Sequence, residues 1–406
     1  MKFPLENIRV LDFTRVLAGP FCTMLMGDMG AEIIKIEKPG VGDDARHFGP
    51  PFLYPENSEN VNEERESAFF LSVNRNKKSI TLNLKNPDSK KIVYDLVKKC
   101  DVVVENFRPG AMKRLGFDYE KLKELNPGII YASISGFGQT GRLRETAGYD
   151  LLVQGMSGVM SLTGEPDGPP FKAGISIGDL VAGMYAIQGI LLALYMREKT
   201  GLGQYIDISL LEGLVSLLTF QAGKYFATDE NALRKGNQHP NICPYETFPA
   251  GDGYFNIAIG NDKLWQRFCD VMGMNELAGD LRFKTNPLRV RNRDELYEIL
   301  CENFRTKDID YWIEKLQSND IPCGRINTVE AILNDPVMIE RNMIHSIQHP
   351  LAGEIKMIRN AINLSGAADI KKSPPPLQGE HTEEILKDLL LFDDVKLDEL
   401  RRNGII

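Results

Sequence analysis

The sequence lacks the features that define several common classes of protein. Its six cysteines are scattered and none forms a Cys-x-x-Cys pair, which argues against a disulfide framework and a zinc site and favours a reducing compartment. No uninterrupted apolar run reaches the length of about 18 residues that a membrane helix needs. The start, MKFPLENIRVLDF, has no charged-then-apolar leader. We therefore expect a cytoplasmic protein with no membrane partner.

Basic charge in excess and metal-ligand spacing are also missing. The formal net charge is −8, so we expect no general attraction to nucleic acid, and a bound phosphate would need a local set of basic residues. Two of the five histidines, His345 and His349, are four residues apart. The proline after His349 disfavours the helix that would bring them together, so we predict no metal site.

Familiar nucleotide-binding motifs are absent as well. No Gly-x-Gly-x-x-Gly follows the first predicted strand, and no Walker-type loop occurs. The GFGQTG stretch at 136–141 has glycines, but it lacks the lysine of such a loop and opens no obvious helix. We interpret it as a turn.

What the chain does contain is an alternation of strands and helices in its first third. Short apolar runs predict the strands, and apolar residues at helical spacing between them predict the helices. Such alternation is typical of an α/β fold with a parallel, doubly wound sheet. The predicted strands are Ile8–Phe13, Glu32–Ile36, Ser79–Leu84, Val102–Glu105 and Ile129–Ile134.

The length of 406 residues suggests two domains. A long apolar segment from Asp179 to about Lys199 predicts a buried helix, and a second helix at about Leu210–Phe226 predicts a connection to a smaller unit. We assign residues 1–200 to a large domain, 201–225 to a linker helix and 226–330 to a small α/β domain. Residues 331–406 form a return linker and a C-terminal helix that packs on the large domain.

The most informative position is Asp179, which follows a glycine and opens the predicted long helix. One interpretation is a helix N-cap, whose short carboxylate accepts the first free backbone N–H groups. The other is catalysis, because a helix start supplies N–H donors and partial positive charge to a carboxylate or an oxyanion. Gly178 would then leave room for a substrate carbonyl to approach the backbone. Position alone favours the cap.

Four basic residues follow successive predicted strands. The carboxyl ends of parallel strands line one crevice, where nucleotides bind, so these side chains could neutralise phosphates. Solvated surface charge is the alternative for each one taken singly. The residues are Lys38, Lys85, Arg108 and Arg114.

An ordered set of motifs along nearly the whole chain resembles the class III CoA-transferases, the family of formyl-CoA transferase and carnitine CoA-transferase. The resemblance implies a large Rossmann-like domain, a smaller α/β domain and an interlocked homodimer. It also implies transfer of CoA from an acyl-CoA to a free carboxylic acid, with CoA as substrate and no prosthetic group. The motifs are VLDFTRVLAGP, GAEIIKIEKPGVGDDAR, NRNKKSITLNLK, DVVVENFRPGAMKRLGF, YASISGFG, GISIGDLVAGMYAIQGILLAL, REKTGLGQYIDISL, IPCGRINTVEAILNDP and PPPLQGEHTEEIL.

The family's site residues map onto individual positions of this chain. The nucleophile, which forms an aspartyl-CoA thioester, falls on Asp179, and this outweighs the cap interpretation. The basic members of the CoA site are the four residues already noted above. The CoA-binding positions are Leu17, Ala18, Lys38, Leu82, Asn83, Leu84, Lys85, Asn106, Phe107, Arg108, Arg114 and Tyr149.

Some departures from the family pattern affect the expected substrate. Leu17 stands where formyl-CoA transferase has glutamine, which puts oxalate and formate in doubt, and NICPYETF at 241–248 replaces that enzyme's glycine-rich active-site loop. The region from GNQHPNICPYETF to GDGYFNIAIGND most resembles members that use succinyl-CoA and dicarboxylic acids. Arg46 and His239 are candidates for binding a second carboxylate, although structural or surface duty is the stronger interpretation of each.

Two other functions remain open at this point. An α-methylacyl-CoA racemase would share the fold and the helix-opening aspartate, but it would need a histidine where this chain has Tyr149. Tyrosine titrates near pH 10, so it is a poor base at neutral pH. A non-catalytic CoA-binding subunit of the same fold is the second alternative, and an intact Asp179 speaks against it.

Overall fold

The computed structural model describes residues 2–55 and 65–406. The chain divides into two compact units. The first comprises Met1–Val159, Lys172–Ala227 and Ile339–Ile406, and the second comprises Met160–Phe171 and Thr228–Met338. Residues 160–171, which the sequence analysis placed in the large domain, thus belong to the second unit.

The described residues form thirteen strands. In chain order they are β1 (Arg9–Asp12), β2 (Glu32–Glu37), β3 (Phe52–Leu53), β4 (Glu66–Ser67), β5 (Lys77–Thr81), β6 (Val102–Glu105), β7 (Ile130–Ser135), β8 (Tyr205–Ser209), β9 (Tyr245–Pro249), β10 (Tyr254–Ala258), β11 (Cys323–Arg325), β12 (Ile344–His349) and β13 (Gly353–Ile358).

The same residues form nineteen α-helices. They are α1 (Ala18–Asp28), α2 (Ala68–Val73), α3 (Pro87–Val97), α4 (Ala111–Leu115), α5 (Tyr119–Leu125), α6 (Asp150–Met156), α7 (Val159–Leu162), α8 (Ile177–Thr200), α9 (Leu210–Ser216), α10 (Thr219–Thr228), α11 (Asp262–Met272), α12 (Asn275–Gly279), α13 (Asn286–Arg291), α14 (Arg293–Phe304), α15 (Ile309–Gln317), α16 (Val329–Leu333), α17 (Pro336–Glu340), α18 (Thr382–Leu390) and α19 (Asp394–Arg402).

A six-stranded sheet forms the centre of the first unit. Its order is β5-β2-β1-β6-β7-β8, and every pair is parallel. The chain leaves β1 to build one half of the sheet and returns to β6, beside β1, to build the other half. That order is the doubly wound arrangement, and ligands bind at the switch point between its halves. The predicted α/β class with a parallel sheet is confirmed, and the sequence analysis missed only the sixth strand, β8.

Both faces of this sheet are buried, because alternate residues of each strand point to opposite sides. On β1, Val10 belongs to one hydrophobic cluster and Leu11 to the other. The first cluster includes Ala186 and Ile190 of α8. The second includes Leu386 of α18, and helix α18 also receives the N–H of Thr81 on the Oγ1 of Thr382 at 3.0 Å.

Helix α8 is the one helix in residues 2–55 and 65–406 whose length and composition would let it cross a membrane. Half of its apolar window is buried inside the protein. Core helices of ordinary domains pass the same test, so a single such helix is weak evidence for a membrane span. Its opposite face leaves large apolar side chains exposed, among them Leu191, Leu192, Tyr195 and Met196.

The linker helix predicted at about Leu210–Phe226 is two helices in the structure. Helix α9 ends at Ser216 and α10 begins at Thr219, whose φ of 34° is unusual for a residue that is not glycine. The second unit then builds a three-stranded antiparallel sheet in the order β11-β10-β9. Its own core contains Phe248, Phe255 and Trp265.

Candidate active site

Two neighbouring clefts lie where strands β1, β2 and β6 end in the first unit. The larger, of about 500 Å³, contains Asp179 and is called the Asp179 cleft below. The smaller, of about 310 Å³, contains Lys38 and Lys85 and is called the Lys38 cleft. Three residues line both clefts and so form the boundary between them: Arg15, Asp44 and Phe107.

The segments that follow β1 and β6 are fastened to each other across the switch point. The side chain of Asn106 accepts the N–H of Arg15 on its Oδ1 at 2.8 Å and donates from its Nδ2 to the carbonyl of Arg15 at 2.7 Å. Glu105 accepts the N–H of Phe107 at 2.8 Å. Asn106 therefore holds backbone in this structure, although the family resemblance assigns it to CoA.

A buried carboxylate fixes the turn that leads out of β1. Asp12 accepts the N–H of Thr14 at 2.8 Å and the hydroxyl of Thr23 at 2.7 Å, and the ammonium of Lys77 lies 3.2 Å away. Burial by itself would raise the pKa of Asp12, but Lys77 and Lys35 hold it below its ordinary value. This anchoring sets the position of Arg15–Ala18, the start of the Asp179 cleft.

Asp179 lies in the first turn of α8, three residues after the N-cap residue. The helix begins at Ile177 after the cap residue Ser176, so the helix-opening position and N-cap role considered for Asp179 are wrong. Its carboxylate makes no hydrogen bond to the residues that the structure describes, and its own N–H likewise has no partner in that part of the chain. A free carboxylate beside a free N–H donor is an arrangement that suits a nucleophile better than a cap.

The structure requires a glycine at position 178, but not for the reason that the sequence suggested. A Cβ on Gly178 would lie 3.0 Å from Oδ1 of Asp150 and 3.0 Å from Cγ2 of Val153. The N–H of Gly178 donates to that same Oδ1 at 2.8 Å. The space beside Gly178 is therefore taken by α6, and it is not open to a substrate carbonyl.

The environment of Asp179 disfavours its ionised form. Burial, and then the negative charge of Asp150, raise the pKa of Asp179 to about 7. A carboxylate with this pKa is more basic than an ordinary aspartate, and near neutral pH it is divided between its two protonation states. Perturbed carboxylates of this kind are concentrated at functional sites.

Two glycines bring the end of β7 against the loop that precedes α6. A Cβ on Gly136 would lie 2.4 Å from the Cα of Gly148, and a Cβ on Gly148 would lie 2.3 Å from the Cα of Gly136. This backbone contact places Tyr149 and Asp150 on the Asp179 cleft. The GFGQTG stretch, interpreted as a turn, thus supplies a close approach and holds no phosphate motif.

Most of the predicted CoA positions lie in the two clefts. The Asp179 cleft contains Leu17, Ala18, Asn106, Phe107, Arg108 and Tyr149. The Lys38 cleft contains Lys38, Leu82, Asn83, Leu84, Lys85 and again Phe107. Arg114 lines neither cleft as the described residues define them, although its neighbour Leu115 lines the Lys38 cleft.

The two side chains suggested for a second carboxylate are engaged elsewhere. Arg46 is only 8% exposed, pairs with Glu37 at 2.8 Å and Glu66 at 3.3 Å, and lies 3.7 Å over the ring of Phe70. His239 belongs to the second unit, where its Nδ1 accepts the N–H of Asn241 at 3.1 Å. These contacts support the structural interpretation of Arg46, because its charge is already balanced inside the protein.

The stretch Gly174–Gly178 matches the spacing Gly-x-Ser-x-Gly of a serine-hydrolase elbow. That elbow is a sharp turn from a strand into a helix. Residues 163–176, all of which the structure describes, contain no strand before α8. Ser176 is the residue before the helix and accepts no capping hydrogen bond on its side chain, so the spacing does not make an elbow here.

Sequence reasoning missed several residues of the Asp179 cleft. They are Arg15, Asp44, His47 and Asp150. A signal existed for Arg15, because it follows the first strand in the same way as the four basic residues that were noticed. None existed for Asp150, whose importance comes from a contact with Gly178, 28 residues later. Among the described residues no group of histidine, cysteine and acidic side chains could hold a metal ion.

A family model, CoA-transferase family III, matches residues 5–382. The chain belongs to this family. Succinyl-CoA:glutarate CoA-transferase of Homo sapiens is 40% identical over 403 residues, which cover 99% of this chain and 90% of that protein. Acetyl-CoA:oxalate CoA-transferase of Acetobacter aceti is 42% identical over 374 residues, or 92% of each chain. The crystal structure of a CaiB/BaiF family protein from Brucella suis is 41% identical and superposes with a TM-score of 0.84, covering 96% of this chain and 100% of that one.

These comparisons confirm the predicted resemblance. The protein is a class III CoA-transferase that acts on an acyl-CoA. The racemase and the non-catalytic subunit are accordingly set aside.

Proposed function

We propose that this CoA-transferase uses Asp179 as its covalent nucleophile and moves CoA from succinyl-CoA to a dicarboxylic acid. The observation that carries the proposal is the carboxylate of Asp179, which stands without a hydrogen bond to the described residues, in the first turn of a long helix, inside a cleft at the switch point of the sheet.

The reaction proceeds by double displacement. The carboxylate of Asp179 attacks the donor thioester, giving a mixed anhydride and free CoA thiolate. The thiolate attacks the aspartyl carbonyl, giving an aspartyl-CoA thioester and the donor acid. The acceptor carboxylate attacks that thioester and again releases CoA thiolate, which then attacks the acceptor's acyl carbon. A new acyl-CoA leaves and the carboxylate of Asp179 is restored.

The raised pKa and the helix start serve different parts of this sequence. A more basic carboxylate is the better nucleophile once it is ionised, and each step exchanges one activated acyl group for another. The oxyanion of each tetrahedral intermediate develops next to Asp179. The free N–H of Asp179 can donate a hydrogen bond to this oxyanion, and the partial positive charge at the start of α8 also stabilises it.

We assign the phosphates of CoA to the Lys38 cleft. Lys38 and Lys85 are exposed there, and neither makes an ion pair with a described residue. Free ammonium groups can neutralise phosphates without first giving up a partner. The pantetheine arm then passes the boundary formed by Arg15, Asp44 and Phe107 and brings the thioester to Asp179.

The substrate assignment is supported by relatives of about the same length. The human relative is named for succinyl-CoA and glutarate, and the Chloroflexus aurantiacus relative, 37% identical over 404 residues, for succinyl-CoA and D-citramalate. All three acids carry two carboxylates. A small dicarboxylic acid is therefore the acceptor that we assign to this chain.

We further propose that the protein is a homodimer of the cytoplasm. Helix α8 exposes Leu191, Leu192, Tyr195 and Met196, and α10 exposes Phe220 and Phe226. Large exposed apolar side chains in such number are typical of a face covered by another subunit. Light scattering coupled to gel filtration should give about twice the chain mass of 45.6 kDa, and a monomer at micromolar concentration would contradict this assembly.

The central experiment traps the intermediate. Enzyme mixed with succinyl-CoA in the absence of an acceptor is quenched and digested, and mass spectrometry should find CoA attached to the peptide that contains Asp179. Hydroxylamine should remove it and leave a hydroxamate. The Asp179→Asn variant should bind CoA but form no adduct, whereas Asp150→Asn, which keeps the nucleophile, should form it. An active Asp179→Asn enzyme would falsify the mechanism.

A further inference from the structure

The Asp179 cleft has an unusual balance of charges for an enzyme that accepts dicarboxylic acids. Three carboxylates line it, those of Asp44, Asp150 and Asp179. An acid with two negative charges would be repelled unless a cation received the carboxylate that does not react. Two guanidinium groups line the same cleft, those of Arg15 and Arg108.

Arg15 is already paired with a carboxylate of its own chain. Its Nη1 lies 2.8 Å from Oδ2 of Asp44, and its guanidinium carbon lies 5.0 Å from the centre of the Phe107 ring. The side chains of Arg15 and Asp44 are 44% and 49% exposed. Exposed ion pairs contribute little to stability, so an incoming carboxylate can take the place of Asp44 at small cost.

The backbone of Arg15 is fixed while its side chain is free to change partner. Asn106 bonds both the N–H and the carbonyl of Arg15, and Asp43 accepts the N–H of the next residue, Val16, at 3.0 Å. Asp43 is itself buried and paired with Lys35 at 2.8 Å. A guanidinium on such a rigid base is presented to the cleft at a constant position, which is what discrimination between acids requires.

The contrast with Arg46 explains why Arg15 is the better candidate. Arg46 lies inside the protein between Glu37 and Glu66, and moving it would break two buried ion pairs. Arg15 leaves only an exposed carboxylate behind. Arg108 lies in the stretch that the family resemblance assigns to CoA, and no carboxylate pairs with it among the described residues.

We propose that Arg15 is a specificity-determining residue. Its guanidinium releases the carboxylate of Asp44 and binds the second carboxylate of the dicarboxylic acid instead. The proposal rests on the proposed function, because it places the acid's reacting carboxylate at Asp179. Phe107 keeps the guanidinium plane oriented while the partner changes.

The test compares glutarate with valerate, which has the same chain length and one carboxylate. In a double-displacement reaction, kcat/KM for the acceptor reports the acceptor half-reaction whatever the donor. Arg15→Gln should lower kcat/KM for glutarate about 10- to 100-fold, as expected for the loss of a charge-assisted hydrogen bond. The loss for valerate should be far smaller, and Arg15→Lys should fall between. If valerate is not transferred, its inhibition constant against glutarate replaces kcat/KM.

A second variant predicts the opposite direction. Asp44→Asn removes the competing carboxylate, so the KM for glutarate should fall, and a raised KM would count against the exchange. The matched control is Arg267→Gln in α11, which removes an equally exposed guanidinium from its pair with Asp320 and should leave both acids unaffected.

Two outcomes would overturn the role of Arg15. Equal losses of kcat/KM for glutarate and valerate would mean that Arg15 does not bind the second carboxylate. A matching loss of affinity for CoA itself, measured by calorimetry, would assign the side chain to CoA. Neither result touches the proposed function, which fails separately if the unmodified enzyme transfers CoA to no acid or if Asp179→Asn remains active.

Discussion

The carboxylate of Asp150 accepts the N–H of Gly178 at 2.8 Å, and its negative charge therefore stands beside Asp179, the next residue. This contact links α6 to the start of α8. It is the second cause, after burial, of the pKa of about 7 at Asp179. The chemistry of the site is thus set by a pair of acids, Asp150 and Asp179, that are 29 positions apart in the sequence.

The pH dependence of transfer should report this pair. Because only ionised Asp179 attacks, kcat/KM for the acyl-CoA should rise with pH through about 7 and level off above it. Asp150→Asn removes the neighbouring charge, so the midpoint should move below 7. Stopped assays from pH 5 to 9 measure both curves. The control is Glu302→Gln, an exposed change in the second unit, which should keep the original midpoint. An unchanged midpoint in Asp150→Asn would mean that Asp150 does not affect the pKa of Asp179.

The same pKa predicts a cost in stability. The folded-state pKa of Asp179 is raised above its ordinary value of 3.8, so the wild type loses stability as the pH rises from about 4 to about 7. Asp179→Asn has no such group and should be the more stable protein above pH 7. Thermal unfolding should show a melting-temperature difference that grows between pH 4 and 7 and is constant above. A melting-temperature difference that does not depend on pH would mean that Asp179 does not titrate in this range.

The contact between Gly136 and Gly148 should tolerate no side chain. The Cβ of Gly136→Ala would lie 2.4 Å from a backbone atom that cannot rotate away. We expect a loss of about 1–3 kcal/mol in the free energy of unfolding, together with reduced transfer as Tyr149 and Asp150 are displaced. Urea titration measures the first quantity. Gly174→Ala, with no atom within 4 Å of the added methyl group, should match the wild type, and equal behaviour of the two variants would argue against a structural role for the contact.

Arg46 should prove to be structural. Arg46→Gln breaks the buried ion pairs of Arg46 with Glu37 and Glu66, so the free energy of unfolding should fall by about 3–5 kcal/mol. Arg144→Gln breaks an exposed pair with Glu145 and should change stability by less than about 0.5 kcal/mol. A stable Arg46→Gln enzyme that loses only dicarboxylic acceptors would restore Arg46 as the residue that binds the second carboxylate.

The two lysines of the Lys38 cleft should contribute to binding of CoA through its phosphates. Lys38→Gln and Lys85→Gln should each raise the KM for succinyl-CoA about three- to tenfold, and less at high salt. With succinyl-pantetheine, which lacks the phosphates, the same variants should behave as the wild type. Lys123→Gln on α5, which also removes an exposed ammonium, is the control. An equal rise in KM with both donors would mean that these lysines do not bind the phosphates of CoA.

The positions of the strands followed from local patterns. Val102–Glu105 was predicted with its observed bounds, and Glu32–Ile36 to within one residue, because buried parallel strands are short apolar runs between helical segments. Strand β8 was missed, although YIDIS alternates in the way that is typical of an edge strand. Helix α8 was predicted two residues short, because its start was assigned to Asp179 when Ser176 is the residue that precedes its first turn.

By itself the sequence determined the parallel α/β fold, the family and the position of the candidate nucleophile, because each depends on residues close together in the chain or on an ordered set of motifs. Only the tertiary structure decided which charges are free to act. Arg46 is locked between two buried carboxylates, Arg15 is held by an exposed one, and Asp150 lies beside Asp179. Electrostatic interaction depends on distance and burial, and folding alone brings residues that are remote in sequence to within hydrogen-bonding distance.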